Sequence, residues 1–536
     1  MAPVFDFIVV GSGPAGSAVA SGLARARANP TVLLLEAGDN LEDRNLRVDG
    51  QRWLTFQNRN MNWGYTTVPQ EYCNNRELDY SRGRGVGGSS AINFGVYSLG
   101  ARDDYDEWAK IVGDDAFNWD HIHARFKELE TFHCEVPAGV NKKYAAPKAA
   151  DHGTTGPLHV GYAAGWEKDL VPTLDIFEQA GFPLNPDHNS GNPIGMSVLI
   201  NSAHKASPFR GQQGSRSSDE WHPIPGLERG HPLSRRTGHA EDSDAFRYRP
   251  KGAVGKFDIP VVLDAHAVGQ GLRDHYFIPL INTVASTNND RRAFYGNKKV
   301  MDEALEQWKR DATGPWSKFS CECGIGWFKI DGLTQTKEFE DLPSEEQEYL
   351  QKETVPHYEI FTHFPIHWFV PDFPDSALDY TCLLVFLYNA QARGEVTLQS
   401  SDPNEPLRMD PKFLSHPFDR RAAIDSLRDA FRIAKHPAYI KDRLAELAAP
   451  KSNSDEDLYW KQNISSSWHM ICTAKMGRAG DADAVVDCDY RVMGIDGLRV
   501  ADMSVIPVLV SRHIQAAAYV TGDTCTEKFI KKYNLA

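Results

Sequence analysis

The opening of the chain constrains its fold more than any other stretch. Val4-Phe-Asp-Phe-Ile-Val-Val10 is a short run of β-branched and aromatic residues that stops at Gly11-Ser-Gly-Pro-Ala-Gly16. The small residues of Ser17-Ala-Val-Ala-Ser-Gly-Leu-Ala-Arg-Ala-Arg27 then predict a helix, and Thr31-Val-Leu-Leu-Leu-Glu36 predicts a second strand ending in an acid. Strand, glycine turn, helix, strand and acid form the first unit of a dinucleotide-binding α/β fold. In that unit Gly11 makes the tight turn, Gly13 lets the backbone approach a pyrophosphate, Gly16 packs helix on strand and Glu36 can bind a ribose hydroxyl pair.

Composition excludes other classes. The chain has 536 residues, enough for two domains, and carries 58 Lys and Arg against 72 Asp and Glu, a net charge of −14. It lacks the basic footprint that nucleic acid or an anionic membrane demands. No apolar run is long enough to span a membrane, and Met1 to Val10 lacks the features of a signal peptide, so an intracellular, cytoplasmic protein is expected. The cysteines, Cys73, Cys134, Cys321, Cys323, Cys382, Cys472, Cys488 and Cys525, show no two-residue spacing of a zinc or redox site. His363 and His367 stand four apart, but Pro365 between them and the aromatic strand pattern argue against a metal, so none is assigned.

Several motifs extend the reading along the chain. Asn62-Trp-Gly-Tyr-Thr-Thr-Val-Pro-Gln-Glu71 leads into Tyr80-Ser-Arg-Gly-Arg-Gly-Val-Gly-Gly-Ser-Ser-Ala-Ile-Asn93, and Val268-Gly-Gln-Gly-Leu-Arg-Asp-His275 follows much later. The closing segments are Trp468-His-Met-Ile-Cys-Thr-Ala-Lys-Met-Gly477, Leu498-Arg-Val-Ala-Asp-Met503 and His513-Ile-Gln515. Together they resemble the glucose-methanol-choline (GMC) family of flavin oxidoreductases, in its choline dehydrogenase-like and alcohol oxidase-like branch, nearly end to end.

The resemblance implies an α/β fold in two parts. A doubly wound, Rossmann-like FAD-binding domain is assembled from 1–110, 200–280 and 475–536, and a substrate domain, an antiparallel sheet backed by helices, from 111–199 and 281–474. It places Gly87, Gly88, Ser89 and Asn93 against the flavin and its diphosphate and Asp502 near the ribityl chain. It also adds Ser12, Ala15, Ala37, Trp63, Arg84, Gly85 and Gln515 to the cofactor-binding set. Some relatives attach FAD through a histidine beside the glycine loop. Here the matching stretch is Ser89-Ser-Ala-Ile-Asn93, so a non-covalent cofactor is expected. The family's Tyr-x-Arg-Gly reads Tyr97-Ser-Leu-Gly100, which leaves a local contact of that arginine without a counterpart.

Alcohol oxidation by a flavin needs a base for the hydroxyl proton while a hydride leaves carbon, and histidine suits that task near neutral pH. Among 19 histidines only family position singles out two. The resemblance makes His469 the main base and gives His513 the task of holding or sharing the substrate hydroxyl. Formate oxidases carry arginine at the second position, so His513 implies a small-molecule alcohol rather than a carboxylate. Ile471-Cys472 replaces a smaller pair beside the base, which predicts a narrower pocket. The aromatic run from His357 to Phe373 reads equally as a strand alternating core and surface positions or as pocket lining.

One interval breaks the pattern. Residues 206–250 hold only Ile224, Leu227 and Leu233 as branched aliphatics, with seven arginines, where the family has strands and a Leu-Ser-Gly-Ile-Gly-Pro signature. Reverse translation of Gly238-His-Ala-Glu-Asp-Ser-Asp-Ala-Phe-Arg-Tyr-Arg-Pro250 with allowed codons, read one base later, gives Gly-Thr-Leu-Lys-Thr-Leu-Met-Leu-Ser-Gly-Ile-Gly-Pro. The interval is therefore read as out of frame, with a genuine insertion as the alternative. The expected function is FAD-dependent oxidation of a primary or secondary alcohol to a carbonyl, with oxygen or another electron acceptor. Two rivals stay open: a non-redox lyase or cyclase on the same fold, and a chain whose 206–250 interval impairs FAD binding.

Overall fold

The computed structural model describes residues 4–40, 50, 52–202, 257–285, 294, 297–311, 313–317, 322–366, 369, 379–402, 405–452 and 454–536. The anomalous interval 206–250, Cys321 and His367 lie outside the described residues. Strand β1 (Phe7–Val10) ends where Gly11 takes a φ of +91°, a left-handed turn that a side chain would strain. Helix α1 (Pro14–Ala24) follows with proline in its first turn, where the missing N–H costs nothing, and β2 (Val32–Leu35) returns parallel to β1 in the register Phe7↔Val32 to Val10↔Leu35.

Glycine lets this unit dock on the last helix of the chain, Gln515–Tyr533. A Cβ at Gly522 would stand 2.2 Å from the Ala15 carbonyl oxygen, and one at Gly22 would stand 2.5 Å from Thr526 Cγ2. The two helices thus meet backbone to backbone, closer than any larger residue allows.

The remaining strands are β3 (Glu130–His133), β4 (Leu158–Gly161), β5 (Gly195–Val198), β6 (Gln270–Leu272), β7 (Tyr276–Val284), β8 (Gly324–Phe328), β9 (Tyr358–Thr362), β10 (Tyr380–Leu387), β11 (Gly394–Thr397), β12 (Arg408–Asp410), β13 (Arg443–Ala448) and β14 (Ser465–Ser466). Seven of them form an antiparallel sheet in the order β13-β7-β10-β9-β8-β5, with β14 added to the start of β7. The pair β3–β4 is parallel, and β12-β11-β6 forms a small sheet of its own. The overall class is therefore α/β, as the sequence implies.

Period-two alternation decides what the large sheet does, because successive side chains of a strand face opposite sides. Leu383, Val385 and Leu387 of β10 join the main core with Tyr276, Ile278 and Leu280 of β7, on the side covered by helix Pro417–Ala434. Leu384 and Phe386 face the other way with Phe277 and Phe361. Both faces are buried in the described part of the aromatic run, so alternation between core and surface does not hold there: Tyr358 and Ile360 face the main core, and Phe361 and Phe364 line a cavity. No helix among the described residues is long and apolar enough to cross a membrane.

Behind β3, His152 is clamped between two carboxylates, with Nδ1 2.9 Å from Glu130 and Nε2 3.2 Å from Asp187. Burial alone would lower its pKa, but the bonds to Asp187 and Glu130 overcome that and lift it to about 9. A folded-state pKa above the unfolded value means stabilisation that is complete below about pH 6.5 and lost as pH rises through about 9. Stability should fall across that window by an amount on the order of 2–3 kcal/mol, read as a falling melting temperature, and His152→Gln should flatten the fall; a variant with the parent's slope contradicts it. Gly522→Ala should cost about 1–3 kcal/mol in thermal unfolding through overpacking. An unchanged melting temperature would show that the helix contact is looser than described.

Candidate active site

A cavity of about 1260 Å³ runs from the N-terminal unit to the inner face of the large sheet. It exceeds the ~300–1,000 Å³ of ordinary small-molecule pockets, leaving room for a dinucleotide and a substrate together. At one end Gly11, Gly13, Ala15, Gly16 and Glu36 line it. Gly13 precedes α1 in extended conformation, no side chain caps the helix, and a Cβ there would meet nothing within 4 Å. Free N–H groups at an open helix N-terminus suit an anionic diphosphate.

Glu36 braces this end. Its Oε2 accepts from the Ser12 backbone N–H at 2.9 Å and from Ser12 Oγ at 2.7 Å, and its Oε1 from the N–H groups of Gly38 at 2.9 Å and Gly85 at 3.1 Å. The carboxylate expected on a ribose therefore also ties the first glycine turn to the second glycine loop. That loop is laminated onto its neighbours: Gly87 N donates to the Ser12 carbonyl at 3.0 Å, and a Cβ on Gly88 would stand 2.9 Å from Gly13 Cα. Ser89 Oγ accepts from Gly83 N at 3.1 Å. Asn93 donates to Gln515 Oε1 at 2.9 Å while its own oxygen accepts from Arg52 and Gly95.

Gly88, Ser89, Asn93, Asp502 and Gln515 all line the cavity, and Asp502 Oδ1 caps the N–H of Ser504 at 2.8 Å. Ser12, Ala37, Gly85 and Gly87 are not on the lining, and neither are Trp63 and Arg84, which stack at 5.0 Å.

At the other end His469 and His513 face each other with ring centroids 4.9 Å apart and planes at 84°. His469 is buried, and its backbone N–H is held by Asp274 at 2.7 Å. Its Nδ1 lies 3.0 Å from His275 Nδ1 and 3.1 Å from Ser467 Oγ. Burial pushes the His469 pKa far below the ordinary value, and His513, His275 and Arg82 add to the effect, so the ring is neutral. Burial likewise lifts the Asp274 carboxyl to about 7 against the hydrogen bonds that oppose it.

His513 Nε2 sits 3.1 Å from Glu359 Oε1, and Tyr388 donates to the other oxygen of that fully buried carboxylate at 2.8 Å. Glu359 lies opposite Phe386 in the β9–β10 register, and Phe361 lies opposite Leu384, so the sheet's inner face delivers all four to the histidine pair. Phe56, Phe94, Phe277, Phe364 and Trp468 complete an aromatic lining.

The sequence expectation of a narrowed pocket is corrected. Ile471 pairs with Arg273 through backbone bonds, and Cys472 points into the main core, so neither lines the cavity. Sequence reasoning does not single out His275 or Glu359. The first ends a recognised motif without a role; the second is a lone acid in an aromatic strand, the one signal that could have marked it.

The GMC oxidoreductase family matches residues 5–208 with its N-terminal part and 390–522 with its C-terminal part, together more than half of the chain. A dehydrogenase, pkfF, of Emericella nidulans is 26% identical, covering 99% of this chain and 94% of the relative. The oxygen-dependent choline dehydrogenase of Sinorhizobium medicae is also 26% identical, covering 99% and 96%. Among solved structures, an FAD-dependent oxidoreductase from Chaetomium thermophilum shares the fold with a TM-score of 0.82 at 22% identity, covering 99% of this chain and 100% of that one. A fungal aryl-alcohol oxidase does so with a TM-score of 0.81 at 21% identity, covering 99% of each. The chain belongs to the GMC oxidoreductase family, whose members bind FAD and act on CH–OH donors.

Proposed function

We propose that the substrate is an uncharged alcohol with an apolar, aromatic body, oxidised at its carbinol carbon over a non-covalently held FAD. The observation that carries this is the lining beside the histidine pair. Phe56, Phe94, Phe361, Phe364, Phe386 and Trp468 surround it, and the carboxylates on the cavity lining, Asp6, Glu36, Asp496 and Asp502, come from the N-terminal unit and the 496–502 segment, none from the sheet face or the aromatic segments beside the pair. Glu359 is committed to His513 and Tyr388, while Arg82, its guanidinium on the Trp468 carbonyl at 2.7 Å, adds positive charge. A cationic alcohol would meet aromatic faces but no free counter-charge.

In this reading His469 takes the hydroxyl proton at Nε2, the ring nitrogen not tied to His275 and Ser467, and becomes an imidazolium as the alcohol oxygen loses its proton. His513, its Nε2 anchored on Glu359, holds that oxygen with its other ring nitrogen. Bound FAD supplies the acceptor for the hydride that leaves carbon. The residues of Ser89–Asn93 include no histidine or cysteine, which supports a cofactor held without a covalent bond. The domain division 1–110, 200–280 and 475–536 against 111–199 and 281–474 belongs to the same reading, as does an electron acceptor that is oxygen or another oxidant.

Anaerobic bleaching of the flavin tests it. Benzyl-type alcohols should reduce it at least roughly tenfold faster than choline or a sugar, and His469→Ala should slow reduction about 10²- to 10⁴-fold. Preference for choline or a sugar overturns the substrate class, a His469→Ala variant as fast as the parent overturns the base, and a flavin that no alcohol bleaches favours a non-redox reaction.

A further inference from the structure

The motif Val268 to His275 enters the site through its last two residues, and they grip His469 from two sides. Asp274 takes the backbone N–H of His469 and the hydroxyl of Ser466, at 2.7 and 2.6 Å. His275 meets the ring itself, Nδ1 to Nδ1 at 3.0 Å. Two nitrogens facing each other at that distance share one proton, so one ring donates and the other accepts.

Ser467 decides which. Its backbone N–H and its hydroxyl both reach the His275 carbonyl, at 3.0 and 2.8 Å. A hydroxyl has one hydrogen, so with that hydrogen on the carbonyl only a lone pair remains to face His469 Nδ1 at 3.1 Å. Two acceptors, Ser467 Oγ and His275 Nδ1, then converge on one ring nitrogen, and the proton they can share belongs to His469. The complementary proton of His275 falls on its Nε2, a fully buried atom without a hydrogen-bond partner among the described residues. A buried donor without a partner is destabilising, and a phenylalanine or leucine in the same space would avoid that cost. A histidine kept at such a cost has work that its own packing does not explain.

We propose that His275 is a positioning residue that, with Ser467, fixes the proton of His469 on Nδ1 and keeps Nε2 open to accept the substrate's hydroxyl proton. The proposal rests on His469 being the base. With the opposite tautomer Nε2 would carry hydrogen and could not take a proton, whatever the substrate.

The test reads the tautomer directly. In the flavin-loaded chain carrying ¹⁵N-labelled histidine, two-bond ¹⁵N–¹H correlations distinguish Nδ1–H from Nε2–H, and His469→Gln identifies the His469 signals. The parent should show Nδ1–H on His469. His275→Phe, which fills the space without an acceptor, should populate Nε2–H and slow flavin reduction roughly 10- to 100-fold with little change in substrate affinity. His275→Asn, which returns an acceptor oxygen near the place of Nδ1, should recover most of that loss. Nε2–H on His469 in the parent overturns the proposal, and so does a His275→Phe variant with the parent's tautomer and rate. Should His275→Phe fail to fold, the parent's signal and Ser467→Ala, which should mix the tautomers, still decide. A parent with Nδ1–H whose His469→Ala variant bleaches at full rate brings down the base assignment instead.

Discussion

One carboxylate joins the pieces on which everything else stands. Glu36 receives donors from Ser12, Gly38 and Gly85, so the turn after β1, the residues after β2 and the second glycine loop converge on two oxygen atoms. The convergence is possible only because the chain around it has no side chains to keep it apart. A Cβ on Gly38 would stand 2.3 Å from Gly85 N, one on Gly83 2.2 Å from the Gly88 carbonyl oxygen, and one on Gly16 2.0 Å from the Gly11 carbonyl oxygen. In each case the obstacle is backbone, which cannot swing aside as a side-chain tip would. The glycines and the acid are one device: the first permits the approach and the second holds it.

This is why the cofactor end was legible in the sequence. A turn with positive φ, a helix start with proline and a backbone-on-backbone contact each demand a particular residue within a few positions, so the demand is written locally. The fold class followed from the same stretch. The aromatic run of β9 was legible only as an ambiguity, since alternation announces two faces but does not say what each face meets. The pairing of β9 with β10, and the arrival of His513 against that face, settle it.

The supporting residues of the histidine pair were not legible, for a physical reason. His275 and His469 are 194 positions apart, and Glu359 and His513 are 154 apart. Nothing local requires a histidine at 275 or an acid at 359; each is required by a ring brought to it from elsewhere in the fold. Family likeness picked out His469 and His513 as residue types at positions. It could not show that one is wired through Nδ1 and the other through Nε2.

That difference in wiring separates two otherwise equivalent rings. Glu359 faces His513 Nε2 with one oxygen and accepts from Tyr388 with the other, which anchors the His513 ring to the sheet's inner face through Nε2. His469 is held at Nδ1 by His275 and Ser467 and at its backbone N–H by Asp274, leaving Nε2 as its working edge. A neutral, buried ring is a base whose lone pair needs no prior deprotonation, but it resists keeping a proton once it has taken one. The positive charge that proton brings is opposed by the same burial and by the Arg82 guanidinium, while Asp274 reaches only the backbone N–H of His469. The same packing that keeps His469 neutral at rest thus favours release of the proton once the hydride has left carbon.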